Sequence, residues 1–382
     1  MPFYQKQGRI PTKRHIQFSD EKNNLYWEEL ISRDGFSGIY SNVYHINPPT
    51  SLKAIGKFKK SNLISANISH RHRHILTSKL KSTGDCISSR IPLFFNKNII
   101  ISKAHAINSM DFLYRNGFYD EVIFIQSGEG NLQTNFGTLK LIAGDFAVIP
   151  RGVIWQIDIK KEMKLLIIES ASAVETPNRY RNKLGQLLEH SPYCERDIKT
   201  PKLTSPIGNN SIDVQVKLMD GIQTYTYHNH PFDIIGWDGY FFPFSLNIND
   251  FMPITGKIHQ PPPVHQTFQT KDFVICSFVP RLFDYHPESI PAPYAHSNVD
   301  SDEIIFYVDG EFMSRKGIES ESMTYHPMGL PHGPQPGKIE ESIGVKETNE
   351  LAVMIDTFQP LNITNFSLDI DDGEYPYSWI DK

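Results

Sequence analysis

His296, Glu303 and His332 bring two imidazoles and one carboxylate into a short stretch of the chain. Such a set can occupy one face of an octahedral metal and leave the remaining positions open. Non-haem Fe(II) oxygen chemistry needs that arrangement, because substrate and dioxygen must both reach the metal. Any one of the three alone would be an ordinary residue. Asp302 is the rival carboxylate, but neighbours on a strand face opposite ways, so only one of the pair can serve. Elsewhere, alternation would put His70, His72 and His74 on one strand face. No carboxylate or cysteine stands beside them, and they are read as an ordinary polar strand. "SGEGNLQ" at 127–133 lacks the third glycine of a dinucleotide-binding loop and is read as a hairpin turn.

The elements that must hold these residues are short strands. "NIIISKAHAI", "DEVIFIQSGEG", "LKLIAGDFAVIP" and "KLLIIESA" in 97–170 are rich in β-branched residues and punctuated by Gly and Pro. The same texture returns at 271–358 in "DFVICSFVP", "DEIIFYVDGEF" and "LAVMIDTF". "ETPNRYRNKLGQLLEHSPYCERD" between them is polar with room for a short helix, and "HQPPPVH" fits neither regular structure.

The two strand-rich regions repeat one another. Tyr114-Arg115-Asn116, four residues, Glu121, six residues, Gly128 matches His296-Ser297-Asn298, four residues, Glu303, six residues, Gly310. A second block pairs Gly144, Pro150, Gly152 and Trp155 with Glu321, Pro327, Gly329 and His332 in the same register. This two-block pattern resembles the cupin signature, in which one motif supplies His and an acidic ligand and the next supplies a further His. The second copy keeps both histidines; the first has Tyr114 and Trp155 in their places and is expected to be metal-free. Glu321 departs from the pattern, which wants glycine there. The expected fold is all-β and bicupin-like, with two β-sandwich or jelly-roll domains and a degenerate N-terminal copy. The expected division is an N-terminal β domain at 1–175, a connecting region at 176–240 and a metal-binding catalytic domain at 241–382.

A chain of 382 residues with 39% hydrophobic and 12% aromatic content can build two cores, and its 26 prolines and 24 glycines suit turns better than long helices. A net charge of −5 without a long basic run leaves nucleic acid no electrostatic footprint. No secretory signal or 18-residue apolar run is visible, so no membrane partner is expected and a cytoplasmic location is the default. Cys86, Cys194 and Cys276 are odd in number and widely spaced, which fits reduced thiols.

Around the triad, "HNHPFDIIGWDGYFFPF", "PPPVHQTF", "PAPYAHSNVDSDE", "SRKGI" and "HPMGLPHGP", with the opening "MPFYQKQGRIPTKRHIQF", resemble the homogentisate 1,2-dioxygenase family, its shorter bacterial members above all. The resemblance implies Fe(2+) held by His296, Glu303 and His332, a substrate pocket lined by His265 and His326, and cleavage of 2,5-dihydroxyphenylacetate by O₂ to maleylacetoacetate in tyrosine and phenylalanine breakdown. It also implies a homo-oligomer built on trimers, a small aromatic acid as substrate, and a smaller C-terminal jelly-roll. His265 is the first candidate for the phenolic proton and His326 the second. Tyr294 and Arg315 are candidates for the substrate carboxylate. Phe312 stands where the family usually has a tyrosine, which leaves room for gentisate or another hydroxylated aromatic acid as substrate. A cupin binding protein or isomerase using another divalent metal is the alternative from a different class.

Overall fold

The computed structural model describes residues 3–310 and 312–380. Two sheets dominate. In the larger, 13-stranded sheet the long strands Asp120–Thr134 and Ile154–Ser170 lie antiparallel, flanked by Asp145–Ile149 and Ile99–Ala106. The smaller sheet has six strands in the order Gln266–Gln269, Phe273–Phe278, Leu351–Thr357, Asp302–Asp309, Ser322–His326, Arg73–Leu76. Alternation sends Ile304, Phe306, Ile275, Val353 and Ile355 into one continuous apolar core with Phe124, Phe146 and Ile167 of the larger sheet. Glu303, His326 and Asp356 therefore face away from that core.

The repeat is a structural one. Gly152 N–H donates to the Asn116 carbonyl at 2.9 Å, and Gly329 N–H donates to the Asn298 carbonyl at 2.7 Å. Arg151 N–H donates to Asp120 Oδ1 at 3.2 Å, and Met328 N–H donates to Asp302 Oδ1 at 2.7 Å. Asp302 thus ties down the second motif's turn, as Asp120 does in the first copy. Gly128 and Gly310 both have φ near +90° (93 and 94), and a Cβ at either would come within 2.5 Å of a carbonyl oxygen on the neighbouring chain segment. Only glycine fits there. Gly144 has φ 88, and its counterpart Glu321 has φ 68, a left-handed conformation that costs a non-glycine residue roughly 1–2 kcal/mol. The Glu321 carboxylate is ion-paired with Lys164 of the larger sheet.

Strand pairing crosses the expected domain boundaries. Arg73–Leu76 pairs with Ser322–His326, Phe244–Asn247 pairs with Asp145–Ile149, and Asn362–Ile363 pairs with Ile91–Phe95. The stretch read as a connection holds the hairpin Ile212–Leu218 with Gly221–Tyr227, and the strand Ile234–Gly239. That last strand joins Gln5–Gly8, Tyr40–His45 and Trp27–Ser32 in a four-stranded sheet. In place of a short helix, 176–197 forms the 3-10 turns Asn178–Tyr180 and Glu195–Asp197. The proline run forms another, Pro262–His265. The three cysteines are free, and among the described residues no helix is long and apolar enough to cross a membrane.

His45 sits between two carboxylates of the four-stranded region, with Nδ1 2.7 Å from Asp233 and Nε2 3.0 Å from Glu29. Burial works against its charge, but the hydrogen bonds outweigh burial and raise it from 6.5 to about 9. The folded value lies above the unfolded one, so this stabilisation is complete below pH 6.5 and disappears as pH rises through about 9. Denaturant titrations should show stability falling by up to about 3 kcal/mol across that window, with a flatter pH profile in His45→Asn. A slope unchanged by the substitution would remove His45 from the account.

Candidate metal centre

Glu303 projects from Asp302–Asp309, while His296 and His332 face each other across a two-way backbone bridge, with N–H to carbonyl distances of 2.8 and 2.9 Å. One ligand atom from each of the three lies within 4.8 Å of the others. The His296 Nδ1 is 3.2 Å from the Tyr294 carbonyl and the His332 Nδ1 is 3.3 Å from the Leu330 carbonyl. Carbonyl oxygens only accept, so both Nδ1 atoms carry the proton and both Nε2 atoms present a bare lone pair. The His332 Nε2 is buried without a hydrogen-bond partner, 3.5 Å from Glu303 Oε1. Lone pairs converging in this way need a cation between them. The three residues fit a divalent metal, with each imidazole oriented by a backbone carbonyl.

His326 lies opposite Glu303 on the adjacent strand. Its Nδ1–H donates to Glu303 Oε1 at 2.6 Å, and its Nε2 accepts from the Tyr375 hydroxyl at 3.0 Å. Burial lowers His326 to about 3, so the ring is neutral. With both nitrogens engaged, it orients Glu303 and has no lone pair left for a substrate proton. Burial tends to raise the Glu303 carboxyl, yet the hydrogen bond from His326 and the nearness of the His332 ring hold it well below the usual carboxylate range. Asp356, the register partner of Glu303, is pushed up to about 8 by burial and by the Glu303 charge, and its Oδ1 is buried without a partner.

The buried Arg315 guanidinium lies 5.5 Å from the Trp379 ring centroid and donates through Nη1 to the Gly333 carbonyl; its Nε is buried without a partner. Tyr294 is 55% exposed, at the rim, with its ring 6.3 Å from that of His296. Phe312 packs edge-on against Tyr307 at 4.4 Å. The His265 ring lies 4.8 Å from that of Phe278, its Nδ1 is buried without a hydrogen-bond partner, and burial, helped by the Arg281 charge, lowers it to about 3.

Sequence reasoning missed His72, Tyr375 and Trp379. The His72 ring is 5.4 Å from His326, 6.1 Å from His332 and 5.3 Å from Trp379. Its Nε2–H donates to the Pro331 carbonyl at 3.1 Å, which leaves Nδ1 a bare acceptor, buried and unpartnered. His70 reaches the Met328 carbonyl and His74 bonds Ser322 Oγ. The "HRHRH" alternation was the available signal; what hid it was the pairing of this segment with a strand some 250 residues away.

The first copy surrounds its carboxylate differently. Tyr114 and Trp155 pair where His296 and His332 do, with rings 5.2 Å apart, and Trp155 Nε1 donates to Glu121 Oε2 at 3.2 Å. Ile149 stands opposite Glu121 as His326 stands opposite Glu303, and Glu169 opposes Glu121 as Asp356 opposes Glu303. The Arg90 guanidinium fills the place of a cation: it lies 2.6 Å from Glu121 Oε1, 5.5 Å from the Tyr114 ring centroid and 5.9 Å from that of Trp155. Lys217 neutralises Glu169 at 2.6 Å.

Residues 93–248 match the family model described as homogentisate 1,2-dioxygenase N-terminal. A protein of Saccharolobus solfataricus named "putative dioxygenase" is 43% identical over 99% of both chains. The chain belongs to the homogentisate dioxygenase-like cupin family. Within that family, the homogentisate 1,2-dioxygenase of Rhodopseudomonas palustris is 23% identical over 68% of this chain and 60% of its own length. That of Sinorhizobium medicae is 25% identical over 70% and 62%. The match therefore spans less than two thirds of those relatives. A solved cupin 2 conserved barrel domain protein from Leptotrichia buccalis aligns with a TM-score of 0.36 at 10% identity, covering 79% of this chain and all of that one.

Proposed function

We propose that this member of the homogentisate dioxygenase-like cupins is an Fe(II)-dependent dioxygenase that opens the ring of homogentisate to give maleylacetoacetate. The carrying observation is the pair of bare Nε2 atoms, His296 and His332, converging with an ionised Glu303. His296, Glu303 and His332 would hold the iron, which when bound supplies electron exchange between an electron-rich ring and dioxygen. His326 keeps Glu303 in orientation through the 2.6 Å bond, and Tyr375 fixes the tautomer of His326. For the phenolic proton His72 and His265 each offer a buried, unpartnered Nδ1, and the His72 ring sits against His326 and His332. The free Nε–H of buried Arg315 is the donor for the acetate carboxylate, and Tyr294 guards the rim.

The test is oxygen uptake by Fe(II)-loaded protein across homogentisate, gentisate and related dihydroxyphenyl acids. Homogentisate should be the best substrate, consuming one O₂ per ring opened. Preferential use of gentisate would move the substrate to the shorter acid, and no uptake with any ring acid would remove the dioxygenase reading. A charge-assisted contact to a carboxylate contributes roughly 1.5–3 kcal/mol, so Arg315→Met should raise the Michaelis constant by about one to two orders of magnitude with iron retained. An unchanged constant would return Arg315 to a purely structural role against Trp379.

A further inference from the structure

A cavity of about 180 Å³ lies between the two sheets, away from the metal centre. Its walls include Lys103 and Lys164 of the larger sheet, Thr77, Ser78 and Ser82 from the N-terminal segment, and Glu321 just before Ser322–His326. Lys103 is the anomaly. It is 5% exposed in a strand whose neighbours Ile101 and Ala104 are core residues. Its ammonium lies 4.1 Å from the Phe306 ring centroid and donates to Gln126 Oε1 at 2.6 Å, and among the described residues no carboxylate is within ion-pair distance. Lys164 is the partner of Glu321, so the Glu321 carboxylate at this cavity is already taken and Lys103 is left without one.

The geometry points to a small-oxyanion site here, taking sulfate or inorganic phosphate between Lys103 and Lys164 with the hydroxyls of Ser78 and Ser82 as further donors. A buried cation without a counter-charge is costly, and an anion entering a polar cavity beside it removes that cost. Burial lowers Lys103 to about 7, and a bound anion would restore the ammonium form. Glu321 is the internal competitor: its carboxylate already holds Lys164, from a position where the first copy has glycine.

Thermal unfolding with sodium sulfate, against sodium chloride at matched ionic strength and on protein with and without iron, tests this. A ligand that binds only the folded state raises Tm in a saturable way. Sulfate should do so equally in both metal states, and acetate should do so less because it presents fewer acceptor oxygens. Lys103→Met should weaken the sulfate response by at least ~10-fold, whereas Glu321→Gln should strengthen it by removing the competing charge. Sulfate and chloride acting alike on the wild type would overturn the site. So would a response in Glu321→Gln weaker than in the wild type, a readout that stands even if Lys103→Met does not fold.

Discussion

His296→Ala, Glu303→Gln and His332→Ala should each abolish tight metal binding and bring oxygen uptake to background, while Tyr114→Ala and Trp155→Ala leave metal at one ion per chain. The reason is local electrostatics. In the second copy Glu303 is ionised and buried, and among the described residues no Arg or Lys forms an ion pair with it or with Asp356; the imidazole edges facing Glu303 include a bare Nε2. A divalent metal would complete this set, and each ligand lost would remove an interaction that the other two cannot replace. The effect should exceed the roughly 10–100-fold loss that follows removal of an outer partner, which is the expectation for Tyr375→Phe. Metal analysis after dialysis, with oxygen uptake on the same samples, measures both. Two ions per chain in the wild type, or a His332→Ala variant that keeps its iron, would refute the assignment.

The repeat, the triad and the Glu303 choice were legible because they depend on spacing along single strands and on turn chemistry shared by two copies. The matched Asn116 and Asn298 carbonyl bonds are the physical content of that spacing. What the sequence hid depends on contacts between distant segments. His72 reaches the centre only because Arg73–Leu76 adds an edge to the smaller sheet, and Tyr375 and Trp379 only because the chain end folds back over His326. The domain division at 175 and 240 followed composition, whereas strand exchange follows hydrogen-bond demand at sheet edges. Arg90 finds only the Cys86 carbonyl close by in sequence, and its carboxylate partner Glu121 belongs to another strand, so nothing local announces that pair.

Arg90→Met should destabilise the fold by about 3–5 kcal/mol, the cost of leaving a buried carboxylate without its cation. Glu121 and Glu169 are 0% and 1% exposed and are cross-strand partners, so removing the guanidinium leaves one carboxylate facing another with only Lys217 nearby. Burial already raises the Glu121 carboxyl despite Arg90. Without Arg90 it should take up a proton more readily still, and the variant should be less unstable at pH 5 than at pH 8, because protonation removes the uncompensated charge. Arg90→Met combined with Glu121→Gln should recover part of the loss, since both charges of the pair are then gone. Denaturant titrations of the wild type, the two single variants and the double variant close this cycle. Equal instability of the single and double variants would mean that Arg90 acts through packing against Tyr114 and Trp155 and not as the counter-charge of Glu121.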